Sequence, residues 1–143
     1  MKTDEQEWLT NLFNKRPGRI KPGLDRVRGS YEKLFRPLQK TPVVLVAGTN
    51  GKGSTGGMVS CLLVNAGYKV GHYTSPHIFS FEERIRLSNR QVTLEELRER
   101  YSYLTEDLGP AKFEELSFFE VTTLLAFQIF DEAKVDVAVI EVG

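Results

Sequence analysis

Val43-Val44-Leu45-Val46-Ala47-Gly48-Thr49-Asn50-Gly51-Lys52-Gly53-Ser54-Thr55 begins as an unbroken apolar run and turns into a glycine-rich stretch carrying one lysine. The run reads as a buried strand. The stretch after it reads as a phosphate cradle: glycines let successive backbone N–H groups face an anion, the following helix adds its positive end, and Lys52 can reach a terminal phosphate. A strict G-x-x-x-x-G-K-[ST] loop would need glycine at Val46 and a hydroxyl at Gly53. With Gly53 after the lysine, Ser54 or Thr55 must supply that hydroxyl. A short string of this kind also arises by chance in loops, so its flanks decide. Met58, Val59, Leu62, Leu63 and Ala66 recur at helical spacing, Gly67 stands as the helix stop, and Val70-Gly71-His72-Tyr73 reads as a second strand.

The 143 residues suit one domain or part of a larger one, and 19 basic residues balance 19 acidic ones. No basic surplus points to a nucleic-acid partner. The start, Met1-Lys2-Thr3-Asp4-Glu5-Gln6-Glu7, lacks the apolar centre of a signal peptide, and no apolar run approaches a bilayer span. A cytoplasmic protein with no membrane partner is expected. Cys61 is the only cysteine, which excludes an intrachain disulfide and argues against a zinc cluster. Its place in the helix after the loop predicts a buried packing role.

Upstream, Trp8, Leu9, Leu12 and Phe13 predict a short amphipathic helix within 4–13, followed by a turn-rich stretch from Arg16-Pro17-Gly18 to Lys21-Pro22-Gly23. Leu24, Val27, Tyr31 and Leu34 predict a second helix ending before Pro37. Downstream, Thr74 to Gln91 reads as a long polar and aromatic connection, a length that usually serves function. Thr93-Leu94-Glu95-Glu96 reads as a capping box opening a helix to about Leu108. Ser117-Phe118-Phe119-Glu120 repeats it before Val121, Leu124, Leu125, Phe127, Ile129 and Phe130, and Val135 to Val142 read as a third buried strand. Strand, helix, strand, helices, strand, with no hairpin signal, predicts an α/β fold: a three-layer, P-loop NTPase-like domain with a mostly parallel sheet and flanking helices.

Glu141 closes an otherwise apolar strand, either as a carboxylate emerging into solvent or as one that is paired or metal-bound. Thr74-Ser75-Pro76 by itself is a common turn, His77 a hydrogen-bonding or surface residue, and His72 a strand residue. Phe118 and Phe119, ahead of Phe79 and Phe81, are candidates to stack on an aromatic ligand. Glu82, Glu83, Arg84 and Arg86 read most simply as a solvated charge run with one possible ion pair.

Five motifs in order resemble the folylpolyglutamate synthase and dihydrofolate synthase family, within the Mur-type ATP-dependent amide ligases. They are 46–55 around the cradle, Tyr73-Thr74-Ser75-Pro76-His77, Glu83-Arg84-Ile85-Arg86, Ser117-Phe118-Phe119-Glu120 and Ile140-Glu141-Val142-Gly143. Ser117-Phe118 departs from the Thr-Tyr more common in the family. The resemblance implies a ligase that uses ATP to phosphorylate a folate or dihydropteroate carboxylate, which the amine of L-glutamate then attacks. It implies that Gly48, Thr49, Asn50, Gly51, Lys52, Gly53, Ser54 and Thr55 bind ATP, with Lys52 catalytic. Ser75 and Glu141 match Mg²⁺ ligands, and Ser117, Phe118, Phe119 and Glu120 match a pterin-side substrate segment. It also implies that 1–40 is a helical segment packing on 41–143, the first half of an ATP-binding domain that looks truncated. In that expectation the parent is monomeric, and a fragment ending in an unpaired strand 135–142 self-associates.

Two rival readings are a P-loop module that binds nucleotide without ligation and an unrelated P-loop kinase or GTPase. Glu141 in Glu-Val-Gly stands where a kinase or GTPase normally has a Walker-B aspartate, and no N-K-x-D base reader is present.

Overall fold

The computed structural model describes residues 4–15, 24–34 and 40–142; the expected turns at 16–23 and the stop at Pro37 lie outside them. In chain order the elements are α1 (Asp4–Asn14), α2 (Asp25–Leu34), β1 (Val43–Val46), α3 (Lys52–Asn65), β2 (Val70–Tyr73), a 3-10 turn (Phe81–Arg84), β3 (Ile85–Leu87), β4 (Arg90–Gln91), α4 (Leu94–Leu108), α5 (Pro110–Glu114), α6 (Phe118–Ala133) and β5 (Val137–Glu141). They fall into two compact units, one drawn from 1–36 and 95–128, the other from 37–94 and 129–143.

The helical unit is held by aromatic packing. Trp8 and Leu12 of α1 are buried with Leu97 and Leu104 of α4 and with Phe113, Val121, Leu124 and Leu125. Tyr101 lies 5.4 Å from Trp8 and 5.2 Å edge-on from Phe113. Lys15 closes α1 by donating to the Phe113 carbonyl at 2.7 Å with its ammonium 4.0 Å above that ring, so one side chain meets both an acceptor and a π-face. Reciprocal bonds mark the start of α6: the Ser117 N–H donates to Glu120 Oε2 at 2.8 Å and the Glu120 N–H to Ser117 Oγ at 3.3 Å. This is the expected capping box.

The other unit is a five-stranded sheet in the order β1-β5-β2-β3-β4. β5 pairs in parallel with both β1 and β2, which bears out the parallel core read from sequence. Two corrections follow. The sheet is mixed, because β3 runs antiparallel to β2 and β4 antiparallel to β3. The hairpin turns through Ser88 (φ 46°) and Asn89 (φ 68°), a two-residue loop with both residues left-handed. Asn tolerates that region, but Ser-Asn lacks the Asn-Gly signature that would have announced it. The second correction is that β5 has a neighbour on each side; among the described residues β1 and β4 are the edge strands, and on β1 Val43 and Leu45 are 53% and 65% exposed.

Alternation assigns the faces. Val70 and Val139 point toward α3, packing with Val46 and Val137 against Val59 and Leu63 of that helix. Gly71 points the other way, where the Phe130 ring at the end of α6 occupies the space a Cβ would need. α3 ends as read: the Gly67 N–H bonds to Val64 O at 3.0 Å and the Tyr68 N–H to Leu63 O at 3.1 Å, both bonds of a Schellman motif. Its outer face is wet instead of buried. Met58 and Leu62 are 63% and 70% exposed, and Cys61 is exposed, contrary to the packing role expected of it.

Candidate functional site

The phosphate loop leaves the end of β1 and reaches α3 within five residues, 47–51. Gly51, the residue before the helix, has φ 77°, a conformation glycine adopts without a Cβ penalty. The first bond of the helix runs from the Thr55 N–H to Gly51 O at 2.9 Å, so the amides of 52–54 precede the intrahelical ladder and are free to meet an anion. The helix macrodipole adds positive potential at that end. Lys52 folds back over the turn and donates from Nζ to Gly48 O at 2.6 Å. The lysine therefore sits on the loop that the motif assigns to phosphate, while Thr49, Asn50, Gly53, Ser54 and Thr55 are exposed around it.

Glu141 ends β5 and points to the α3 side of the sheet. It is only 5% exposed. The parallel register that pairs Tyr73 with Ile140 brings the next residue, Thr74, alongside it. Thr74 Oγ1 donates to Glu141 Oε2, and the Ser75 N–H donates to the same oxygen at 3.4 Å. A Cβ on Gly53, the second residue of α3, would lie 3.8 Å from that oxygen. The backbone of Ser75 and the carboxylate of Glu141, ambiguous separately in the sequence, thus meet beside the phosphate loop. Thr74 carries no signal of its own in the sequence; the register of two parallel strands, invisible in one dimension, is what reveals it.

A buried carboxylate costs free energy unless it is compensated. Among the described residues only neutral donors reach Glu141, and all of them converge on Oε2. No group of three or more His, Cys, Asp or Glu side chains able to hold a metal occurs among the described residues. Mg²⁺ does not require one, because it takes oxygen ligands, keeps waters and shares phosphate oxygens, so one carboxylate with an adjacent hydroxyl suits it.

Beneath this site lies His72, 4% exposed, whose Nε2 has no hydrogen-bond partner among the described residues. Burial, and then the Arg86 charge on the neighbouring strand, hold its pKa below the ordinary histidine value, while Glu141 acts in the opposite sense. Gly56 of α3 makes room for the ring: a Cβ there would come within 2.9 Å of Nε2.

The segment after Thr74, read as a charge run, is tightly bonded instead. Glu83 accepts the N–H groups of Ile78, Phe79 and Ser80 at 2.7, 2.9 and 3.0 Å. These bonds, led by that of Ile78, hold its carboxyl below the usual range. Arg84 is buried and donates from Nε to His77 Nδ1 at 2.8 Å, so His77 is the hydrogen-bonding residue expected of it. Ile78 and Phe79 are displayed at the tip, 79% and 92% exposed.

Ser117 to Glu120 belong to the helical unit and are tied up there. Glu120 takes both the N–H and the hydroxyl of Ser117 at 2.8 Å and the Arg26 guanidinium at 3.1 Å. Phe118 stacks on Phe13 at 5.4 Å, which occupies one face of its ring, and Phe119 is 48% exposed.

No family model matches the chain. It is 38% identical over 137 residues to the dihydrofolate synthase/folylpolyglutamate synthase of Haemophilus influenzae, covering 96% of this chain and 30% of that protein. The crystal structure of folylpolyglutamate synthase from Thermotoga maritima superposes with a TM-score of 0.83 at 40% identity, over 97% of this chain and 33% of the other. The bifunctional folylpolyglutamate synthase/dihydrofolate synthase from Yersinia pestis, complexed with AMPPNP and Mn ion, gives 0.87 at 34% identity, over 97% of this chain and 33% of the other. The chain spans about a third of the length of these relatives.

Proposed function

We propose that this chain, similar over nearly all its length to about a third of the folylpolyglutamate synthase/dihydrofolate synthases, belongs to an ATP-dependent amide ligase joining L-glutamate to a folate or dihydropteroate carboxylate. The observation that carries this reading is the phosphate loop with Lys52 at the start of α3 set beside the buried carboxylate Glu141. The reaction has two halves. The substrate carboxylate attacks the γ-phosphorus of ATP, forming an acyl phosphate and releasing ADP. The glutamate amine then attacks the acyl carbon, loses a proton, and inorganic phosphate leaves.

Such chemistry needs positioning and charge neutralisation more than a covalent nucleophile on the protein. Lys52 would exchange its bond to Gly48 O for the β- and γ-phosphates, and the amides of 52–54 would take phosphate oxygens. Ser54 or Thr55 supplies a hydroxyl at the same end of the helix. Glu141 and Ser75 would hold Mg²⁺, which when bound neutralises phosphate charge and orients the nucleotide. Within this reading 41–143 is the first part of the ATP-binding domain, Ser117 to Glu120 lie on the pterin side, and the protein is cytoplasmic. No helix among the described residues is long and apolar enough to cross a membrane.

Lys52→Ala tests the reading. A charge-assisted phosphate contact contributes about 1.5–3 kcal/mol, so ATP affinity measured by calorimetry should fall roughly 10- to 100-fold with circular dichroism unchanged. Unaltered affinity in a folded variant defeats it.

A further inference from the structure

We propose that Thr74 is a positioning residue for the metal-binding carboxylate: its hydroxyl holds Oε2 of Glu141 and thereby presents Oε1 to a divalent cation at the phosphate loop. The inference rests on the reading of Glu141 as a metal ligand and adds a residue to it.

Three observations carry it. Glu141 is at the last position of a buried central strand, so its backbone is fixed by pairing with β1 and β2, and only its side-chain torsions are left to vary. Thr74 is aligned with it by the same register, and its Oγ1 bonds to Oε2 together with the Ser75 N–H. Both donors use one oxygen. No donor among the described residues takes Oε1, which leaves that atom as the ligating one.

The choice of a hydroxyl is chemically specific. A lysine or arginine at 74 would neutralise the carboxylate and compete with the cation. An apolar residue would leave Glu141 with the single long bond from Ser75, free to rotate away. A neutral donor orients the carboxylate and keeps its charge for the ion. Threonine adds a β-methyl group that restricts χ1, so the hydroxyl is itself pre-set. Partners of a metal ligand that do not touch the metal typically shift metal affinity 10- to 100-fold when removed.

The test uses the 143-residue chain and its variants Thr74→Val, Thr74→Ser and Glu141→Gln. Mn²⁺ binding in the presence of AMPPNP is followed by electron paramagnetic resonance. Nucleotide binding is measured separately in EDTA. Thr74→Val should weaken Mn²⁺ binding about tenfold or more, Thr74→Ser, which keeps the hydroxyl and loses only the methyl that restricts χ1, should lose clearly less, and metal-free nucleotide affinity should stay constant in the two Thr74 variants. If Thr74→Val binds Mn²⁺ like the parent while Glu141→Gln loses it, the positioning role is wrong and the metal reading stands. If Glu141→Gln also binds normally, or the parent chain takes up no Mn²⁺ with nucleotide, the metal reading fails and the role of Thr74 fails with it. Equal weakening by Thr74→Ser and Thr74→Val would show that keeping the hydroxyl does not preserve the site, which also overturns the proposal.

Discussion

Gly71→Ala probes the packing of the sheet against the end of α6. Gly71 pairs with Ala138 on one side and Leu87 on the other, so its strand cannot back away. A Cβ built on it lies 2.6 Å from Cγ and Cδ1 of Phe130 and 2.8 Å from Cε1, and Phe130 itself is 0% exposed. Carbon contacts are comfortable at about 3.5–4.0 Å, so the new methyl intrudes by about 1 Å. Overpacking of that size costs about 1–3 kcal/mol. Replacing glycine returns about 0.5–1 kcal/mol by restricting the unfolded chain. The net loss should be about 1–2 kcal/mol, read from urea unfolding followed by circular dichroism. Phe130→Leu removes the ring from the collision, so Gly71→Ala introduced into that background should be neutral, with a coupling of at least about 1 kcal/mol between the two sites. A Gly71→Ala protein as stable as its parent, or the same cost with and without the ring, would refute the packing argument.

Glu83→Gln should speed hydrogen exchange at the amides of Ile78, Phe79 and Ser80, because three bonds to a carboxylate become bonds to a weaker acceptor; unchanged protection would remove Glu83 as the clamp of that turn. His72, buried and beside Arg86, has a folded pKa below 6.5, so the unfolded chain binds more protons there and stability declines as pH drops through and below that value; His77 acts with the same sign. His72→Leu should flatten the decline between about pH 8 and 5.5 in urea midpoints, and an identical slope would count against the burial argument. Cys61 should react with a thiol reagent in the native protein nearly as fast as in urea, whereas protection until unfolding would contradict its exposure.

The parallel core was legible because its signals are local. Apolar runs ended in a glycine turn, two capping boxes announced α4 and α6, and Gly67 announced the end of α3. Neighbour relations between distant segments were not legible. Nothing in Val137–Glu141 says that it inserts between β1 and β2, and that insertion is what turns Thr74 into a partner of Glu141. Cys61 was misread because helical spacing identifies a face without saying whether anything covers it. The Glu83 clamp was hidden for a related reason: a carboxylate bonded to backbone amides and one facing water look alike in a charge run.

The strand order has a consequence for how the molecule is made. β1 and β2 do not touch each other as partners; each pairs with β5, which follows both of them in sequence. On the ribosome, chains emerge N-terminus first, and contacts between remote segments are slow to form because loop closure must precede them. The strand that carries the phosphate loop therefore waits, unpaired, while α3, the hairpin and three further helices are synthesised. Val43 and Leu45 spend that interval as an apolar segment without a strand partner on either side, open to association with other chains. Metal-assisted nucleotide binding cannot stabilise the nascent chain early, since Glu141 and the loop come together only after β5 has docked.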